Sequence, residues 1–189
     1  MQALMLAAGS GSRLGKYTKA NTKCMVEVGG KTLLERTVEA IRLAGIKKFV
    51  IVVGYEADKL VKYINESFPD IDFQIVYNYD YAQTNNIYSL YLAKDYLEQD
   101  DTVLIESDLI YDTNLIKDMV DCKDENLIAV AKYRQWMDGT VTLLDEDGTV
   151  SEFIEKKDFI FANADKYYKT VNIYKFSKDF LKDQYVPFL

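Results

Sequence analysis

Three charged residues of this sequence stand where phosphate chemistry would need them. The stretch Leu6-Ala7-Ala8-Gly9-Ser10-Gly11-Ser12-Arg13-Leu14 follows directly on a short apolar opening, Gln2–Leu6. Glycines at 9 and 11 let the backbone turn tightly and aim its N–H groups at an anion. Arg13 adds a planar, bidentate donor for phosphate oxygens, and Lys23, ten residues on, adds a second cation. Asp108 closes a later apolar run, TVLIESD. A carboxylate at the carboxyl end of a strand can hold a magnesium ion against phosphates. Glu106 lies two residues before it and could share its side of the strand, but Asp108 lies further out. A bare GxGxR is also compatible with an ordinary strand-to-helix turn, and strand ends carry solvated acids without any function.

Two better-known phosphate loops are excluded. A dinucleotide fingerprint needs glycine at position 14, which is Leu14, and a Walker loop ending Gly30-Lys31-Thr32 needs glycine at 25, which is Met25. The chain has no histidine. That removes the commonest general base and metal ligand. Chemistry then falls to carboxylates, lysine, arginine, metal ions or backbone groups.

The elements that must position these residues read as alternating strands and helices. Lys48–Val53 and Phe73–Tyr77 are β-branched runs, and Thr102–Ile105 and Leu127–Tyr133 read likewise. Helical spacing predicts helices over Thr32–Ala44, ended by Gly45, over Ala57–Phe68, closed by Pro69, over Asn86–Glu98 and over Asn114–Val120. In the last third, Thr140–Leu144 and Thr149–Ile154 flank the turn DEDG, and Tyr168–Phe176 is another strand. The pattern predicts an α/β fold: three layers, a mostly parallel mixed sheet with helices on both faces, plus an antiparallel hairpin in the last third. The 189 residues suit a single domain over 1–189, with no linker or repeat. The apolar ending YVPFL is an odd finish for a free terminus and suggests truncation there.

Composition narrows the class. A net charge of −7 with no basic stripe argues against nucleic acid. Cys24 and Cys122 form no CxxC pair, which speaks against zinc or a disulfide framework and fits a reducing, cytoplasmic setting. No stretch approaches the roughly 18 apolar residues of a membrane span.

The segment Leu6–Val28 (LAAGSGSRLGKYTKANTKCMVEV) resembles the signature of the sugar-nucleotidyltransferase superfamily: LAAGxGxRL, a spacer, PKxL and a short strand. The usual proline before the lysine is Thr22 here, so the loop backbone is expected to differ slightly and the charge to remain. Thr84–Leu92 (TNNIYSLYL), Glu106-Ser107-Asp108 and Tyr168–Phe176 are most similar to the phosphocholine cytidylyltransferase-like branch. This resemblance covers essentially the whole chain. It implies transfer of a nucleoside monophosphate, from CTP, to a small phosphorylated acceptor such as phosphocholine or an aminoalkylphosphonate, with Mg²⁺ and release of pyrophosphate. A sugar-1-phosphate acceptor with UTP or dTTP stays open.

The resemblance also implies roles. Leu6, Ala7, Ala8, Gly9, Ser10, Gly11, Ser12, Arg13 and Lys23 would bind the nucleotide, with Arg13, Lys23 and Asp108 catalytic and Asp108 the metal ligand. It supports reading Asn85, Asn86 and Ser89 as nucleoside contacts, although capping of the helix by Thr84 or Asn85 explains part of that text. Trp136, in the polar stretch YRQWMDGT, could form one wall of a cage for an ammonium group. Lys156 and Lys169 could bind the acceptor's phosphate, or be solvated charge. Asp112, Asp138 and Asp158 are weak candidates for a second metal carboxylate. The family pattern instead places one in a C-terminal segment absent here, and some relatives carry a fused aminotransferase-like domain. Two other classes compete: a non-catalytic nucleotide-binding regulatory module, and a dehydrogenase domain, which Leu14 disfavours.

Overall fold

The computed structural model describes all 189 residues, Met1–Leu189. The chain divides into two compact units, one of Met1–Leu127 with Tyr174–Leu189 and one of Ile128–Ile173.

The first unit is built on four parallel strands: β1 (Gln2–Ala7), β4 (Lys48–Val53), β5 (Asp72–Tyr77) and β6 (Thr102–Glu106). Their order is β5-β4-β1-β6, with Leu4 opposite Val50 on one side and Leu104 on the other. Between β1 and β4 come a two-stranded ribbon, β2 (Glu27–Val28) with β3 (Lys31–Thr32), and the helix α1 (Leu33–Leu43). Helices α2 (Ala57–Ser67), α3 (Asn86–Leu92), α4 (Lys94–Leu97) and α5 (Leu115–Asp121) complete the crossovers.

Strand alternation sends successive side chains to opposite faces. Leu4, Leu6, Val50, Val52 and Leu104 form one cluster with Leu90, Ala93 and Leu97 of the α3–α4 segment. On the other face Phe49 stacks on Phe73 at 5.1 Å, and Phe73 meets Phe68 at the end of α2. Buried on both faces, β1, β4 and β6 need the largely apolar runs that the sequence carries, whereas β5, at the sheet edge, is only partly buried.

Local chemistry sets the helix ends. Thr32 caps α1 through a reciprocal capping box, its hydroxyl accepting from the Glu35 N–H while Glu35 accepts from the Thr32 N–H. Gly45, at φ 74°, ends α1 in the left-handed conformation, and the Ile46 N–H returns to the Ile41 carbonyl. The single helix expected over 86–98 is two, broken at Ala93 (φ −95°, ψ 6°). Ala93 is fully buried, so burial of that corner competes with helical continuity, which apolar spacing does not reveal.

The second unit is antiparallel. β8 (Val141–Leu144) and β9 (Val150–Ile154) form the hairpin, its turn closed by the Asp145 N–H on the Thr149 carbonyl. β10 (Tyr168–Phe176) pairs with β8 and also with β7 (Leu127–Lys132). Tyr174–Phe176 belong to the first unit, followed there by α6 (Lys178–Phe180) and a π-helical turn over Leu181–Tyr185. No helix is long and apolar enough to cross a membrane.

Candidate active site

Strand β1 delivers the glycine loop. Leu6, Ala7 and Ala8 are buried, so only their backbone can reach a ligand. The Ala8 carbonyl accepts from the Tyr55 N–H at 2.9 Å, tying the loop's start to the segment after β4. Gly54 makes this approach possible. A Cβ there would sit 2.8 Å from the Ala8 oxygen and 2.8 Å from the Tyr81 Cβ. The chain then turns outward at Gly9 and Ser10, both exposed. Gly11 takes the left-handed conformation, φ 64° and ψ 28°. Its carbonyl accepts from the Leu14 N–H and from the hydroxyl of buried Thr18, both at 2.9 Å. The N–H groups of Gly9, Ser10, Gly11 and Ser12 donate to no protein acceptor. Consecutive free amides around a left-handed glycine form a concave donor set suited to an anion.

Lys23 is bound into the same loop. Gly11 lies so close that a Cβ on it would meet the Lys23 Cγ at 2.5 Å. The lysine opens a 3-10 turn, Lys23–Met25, anchored by fully buried Cys24 and by the Leu33 N–H on the Val26 carbonyl at 3.1 Å. Burial pushes the Cys24 thiol up to about 11, partly countered by its contact with the Thr22 hydroxyl, so it is an inert core residue. Thr22 has φ −76° and ψ 160°, values proline would hold. The absent proline therefore asks little of the backbone.

The Lys23 Nζ reaches the Asp108 Oδ2 at 3.0 Å, across 85 positions of sequence. Asp108 stands just past β6, and Glu106 is that strand's last residue. Burial, and then the nearby Asp108 charge, hold the Glu106 carboxyl above its ordinary range. Asn86 donates to the Glu106 Oε1 at 2.8 Å, joining the start of α3 to the end of β6. Arg13 is exposed and makes no hydrogen bond or ion pair, which leaves its guanidinium available.

The donor chemistry fits magnesium in one way. No group of three or more Asp, Glu, His or Cys side chains could hold a metal alone. One accessible carboxylate beside a set of free amides is instead the arrangement of an ion held jointly by protein and phosphate oxygens, as magnesium commonly is.

Other expected residues fall elsewhere. The Asn85 side chain accepts from the Tyr88 N–H at 3.3 Å, so it caps α3. Ser89 is buried, and its hydroxyl accepts from Asn78 at 3.0 Å. Asp112 accepts from its neighbour Asn114, and Asp138 pairs with Lys156 at 3.0 Å. Asp158 is exposed in a 3-10 turn, outside any ligand cluster. Trp136, Lys156 and Lys169 all lie in the second unit. Trp136 is 78% exposed, and the Lys169 ammonium donates to the Thr170 carbonyl at 2.7 Å.

Sequence reasoning missed Asn78, buried and bonded to Thr84, Ser89 and the Asp80 N–H. No motif marks it; only its place just after β5 could have. A cleft of about 380 Å³ past β4 and β5 is walled by Gly54, Tyr77, Tyr79 and Tyr81, with Glu56 and Asp58 on it. Its one cation, Lys59, is held on the Ala20 carbonyl, so this cleft does not suit a triphosphate.

The chain is similar to several known proteins. A CTP:phosphoglutamine cytidylyltransferase of Campylobacter jejuni is 31% identical over 197 residues, covering 97% of this chain and 76% of that protein. A CMP-5'-(3-aminopropyl)phosphonate synthase of Streptomyces rubellomurinus is 27% identical over all of this chain, which spans 30% of that protein's length. The structure of a CTP:phosphocholine cytidylyltransferase from Streptococcus pneumoniae superposes with a TM-score of 0.76 at 24% identity, covering 98% of this chain and 78% of that one. The family model for the MobA-like NTP transferase domain matches residues 3–149, the stretch that carries the glycine loop, Lys23 and Asp108, and the chain belongs to that family of nucleotidyltransferases.

Proposed function

We propose that this chain catalyses transfer of CMP from CTP to a small phosphorylated or phosphonate acceptor carrying an amine or quaternary ammonium, with release of pyrophosphate. The observation that carries the reading is the set of four unpartnered amides, Gly9–Ser12, with Gly11 packed on Lys23, whose ammonium meets Asp108 at 3.0 Å. The cytidylyltransferase relatives support the choice of CTP, and their phosphonate, phosphoglutamine and phosphocholine names support the acceptor class.

Nucleotidyl transfer of this kind needs no covalent intermediate. An acceptor oxygen attacks the α-phosphorus in line and pyrophosphate leaves, so catalysis is positioning plus charge stabilisation. An acceptor phosphate is already ionised near neutral pH, and the lack of histidine is no obstacle. In this scheme the Gly9–Ser12 amides hold the triphosphate, and Arg13 and Lys23 neutralise charge that develops on it. Asn85 and Asn86 face the nucleoside with the amide groups left over from capping and from Glu106. Trp136, Lys156 and Lys169 receive the acceptor. Mg²⁺, bound by Asp108 and phosphate oxygens, would supply Lewis-acid stabilisation at the α-phosphate.

The test is a pyrophosphate-release screen of the four NTPs against phosphocholine, 2-aminoethylphosphonate, phosphoglutamine and sugar 1-phosphates. CTP with an amine-bearing acceptor should give the highest kcat/KM. Preference for UTP or dTTP with a sugar phosphate would replace the reading, and nucleotide binding without turnover on any acceptor would make the chain a regulatory module. Lys23→Ala should lower kcat by about 10²-fold in the same assay.

A further inference from the structure

The Lys23–Asp108 pair has a consequence for the order in which ligands bind. We propose that Lys23 occupies the cation position at Asp108 until a triphosphate draws its ammonium away, so that a divalent ion enters only together with nucleotide. This rests on the assignment of Asp108 as metal ligand made above.

The pair is not a chance surface contact. Lys23 and Asp108 come from separate elements, and their side chains are 21% and 37% exposed. The lysine stem has little freedom, because Gly11 packs on its Cγ and buried Cys24 fixes the turn that carries it. The ammonium is therefore aimed at the carboxylate by the backbone. It is the only cation within ion-pairing distance of Asp108. A divalent ion arriving alone would have to bind the same carboxylate, whose Oδ2 already holds the ammonium, while facing a positive charge about 3–4 Å away, where Coulomb repulsion is strong even at an intermediate dielectric.

A triphosphate changes that balance. It brings several negative charges to the Gly9–Ser12 amides, and Gly11 places Lys23 in the wall of the same loop. The ammonium can then exchange the aspartate for phosphate oxygens. Asp108 is released at the moment its metal arrives already coordinated by the nucleotide. Without nucleotide, the exchange has no partner for the lysine and the site stays closed.

The experiment is a Mn²⁺ titration followed by electron paramagnetic resonance on the whole chain, with and without CTP. Four proteins are compared: the unaltered chain, Lys23→Met, Asp108→Asn and the double variant, each checked for an unchanged thermal midpoint. Lys23→Met should bind Mn²⁺ alone about tenfold more tightly than the unaltered chain. That gain should vanish in the double variant. Equal affinity for Mn²⁺ alone with lysine or methionine at 23 overturns the proposal, as does a gain that survives loss of Asp108. If Asp108→Asn leaves binding of the Mn²⁺–CTP complex unchanged, the metal-ligand assignment itself has failed. That outcome is separate, since it is read with nucleotide present.

Discussion

At the scale of single residues, the site depends on groups with no side-chain chemistry as much as on charged ones. Gly11 shows this most directly. Its φ of 64° suits glycine, and any Cβ would collide with the Lys23 Cγ near the root of that side chain. Gly11→Ala should therefore cost about 1–2 kcal/mol of local strain and, more importantly, move the lysine. We expect kcat/KM for the nucleotide to fall at least tenfold, with circular dichroism unchanged; retention of full activity would remove the packing of Gly11 on Lys23 from the account. Glu106 makes the converse point, since its cost lies in being ionised. Burial and the Asp108 charge raise its folded-state pKa above the ordinary value of 4.5. The native state then binds more protons than the unfolded chain between those two values, so stability falls as pH rises through that window. Glu106→Gln keeps an oxygen for the Asn86 amide and removes the titration. Its thermal midpoint should exceed that of the unaltered chain at pH 7 and converge with it below about pH 4.5. A constant difference across that range would contradict the raised pKa.

At the scale of elements, the decisive feature is how closely the loop after β1 approaches the end of β4. Gly54 permits that approach and ends β4 without a side chain between Ala8 and Tyr81. Gly54→Ala should displace one of them and destabilise the first unit by about 1–3 kcal/mol, the usual range for overpacking. Urea denaturation measures this directly, and a loss within error would mean the seam is looser than these distances imply. Much of this architecture was legible beforehand. The runs Lys48–Val53 and Tyr168–Phe176 are strands over those same residues, and Thr32 and Gly45 bound α1 as their chemistry predicts. Legibility ended where tertiary packing overrides spacing. The break at Ala93, the 3-10 turns around Arg13 and Lys23, and the two-residue ribbon β2–β3 leave no periodic trace. The burial of Ser89 is hidden for a related reason. In a short amphipathic helix, a polar residue reads as outward-facing unless the buried amide that needs it, here Asn78, is known from the fold.

At the scale of the whole molecule, the charge distribution is paradoxical for the proposed uptake of a triphosphate. The chain carries a net charge of −7, which repels a polyanion. Against this, the loop concentrates Arg13, Lys16, Lys19 and Lys23 within eleven residues, with no acid among residues 8–26. Only Lys23 of the four is held in an ion pair. Lys16 rests over the Tyr17 ring at 5.1 Å, and Lys19 is exposed. Neither would touch the reacting phosphorus in the proposed scheme, so their contribution belongs to encounter rather than to chemistry. Such a contribution reaches over about one Debye length and is screened by salt, roughly 10 Å at 0.1 M. The double reversal Lys16→Glu with Lys19→Glu should therefore lower kcat/KM for CTP severalfold at low ionic strength, with kcat nearly unchanged. Raising the salt to about 0.5 M should bring the two proteins together, because the field that separates them is then confined to about 4 Å. A deficit that persists undiminished at high salt would place these lysines in direct contact with nucleotide, and the loop would have to be read as a binding surface along its whole length.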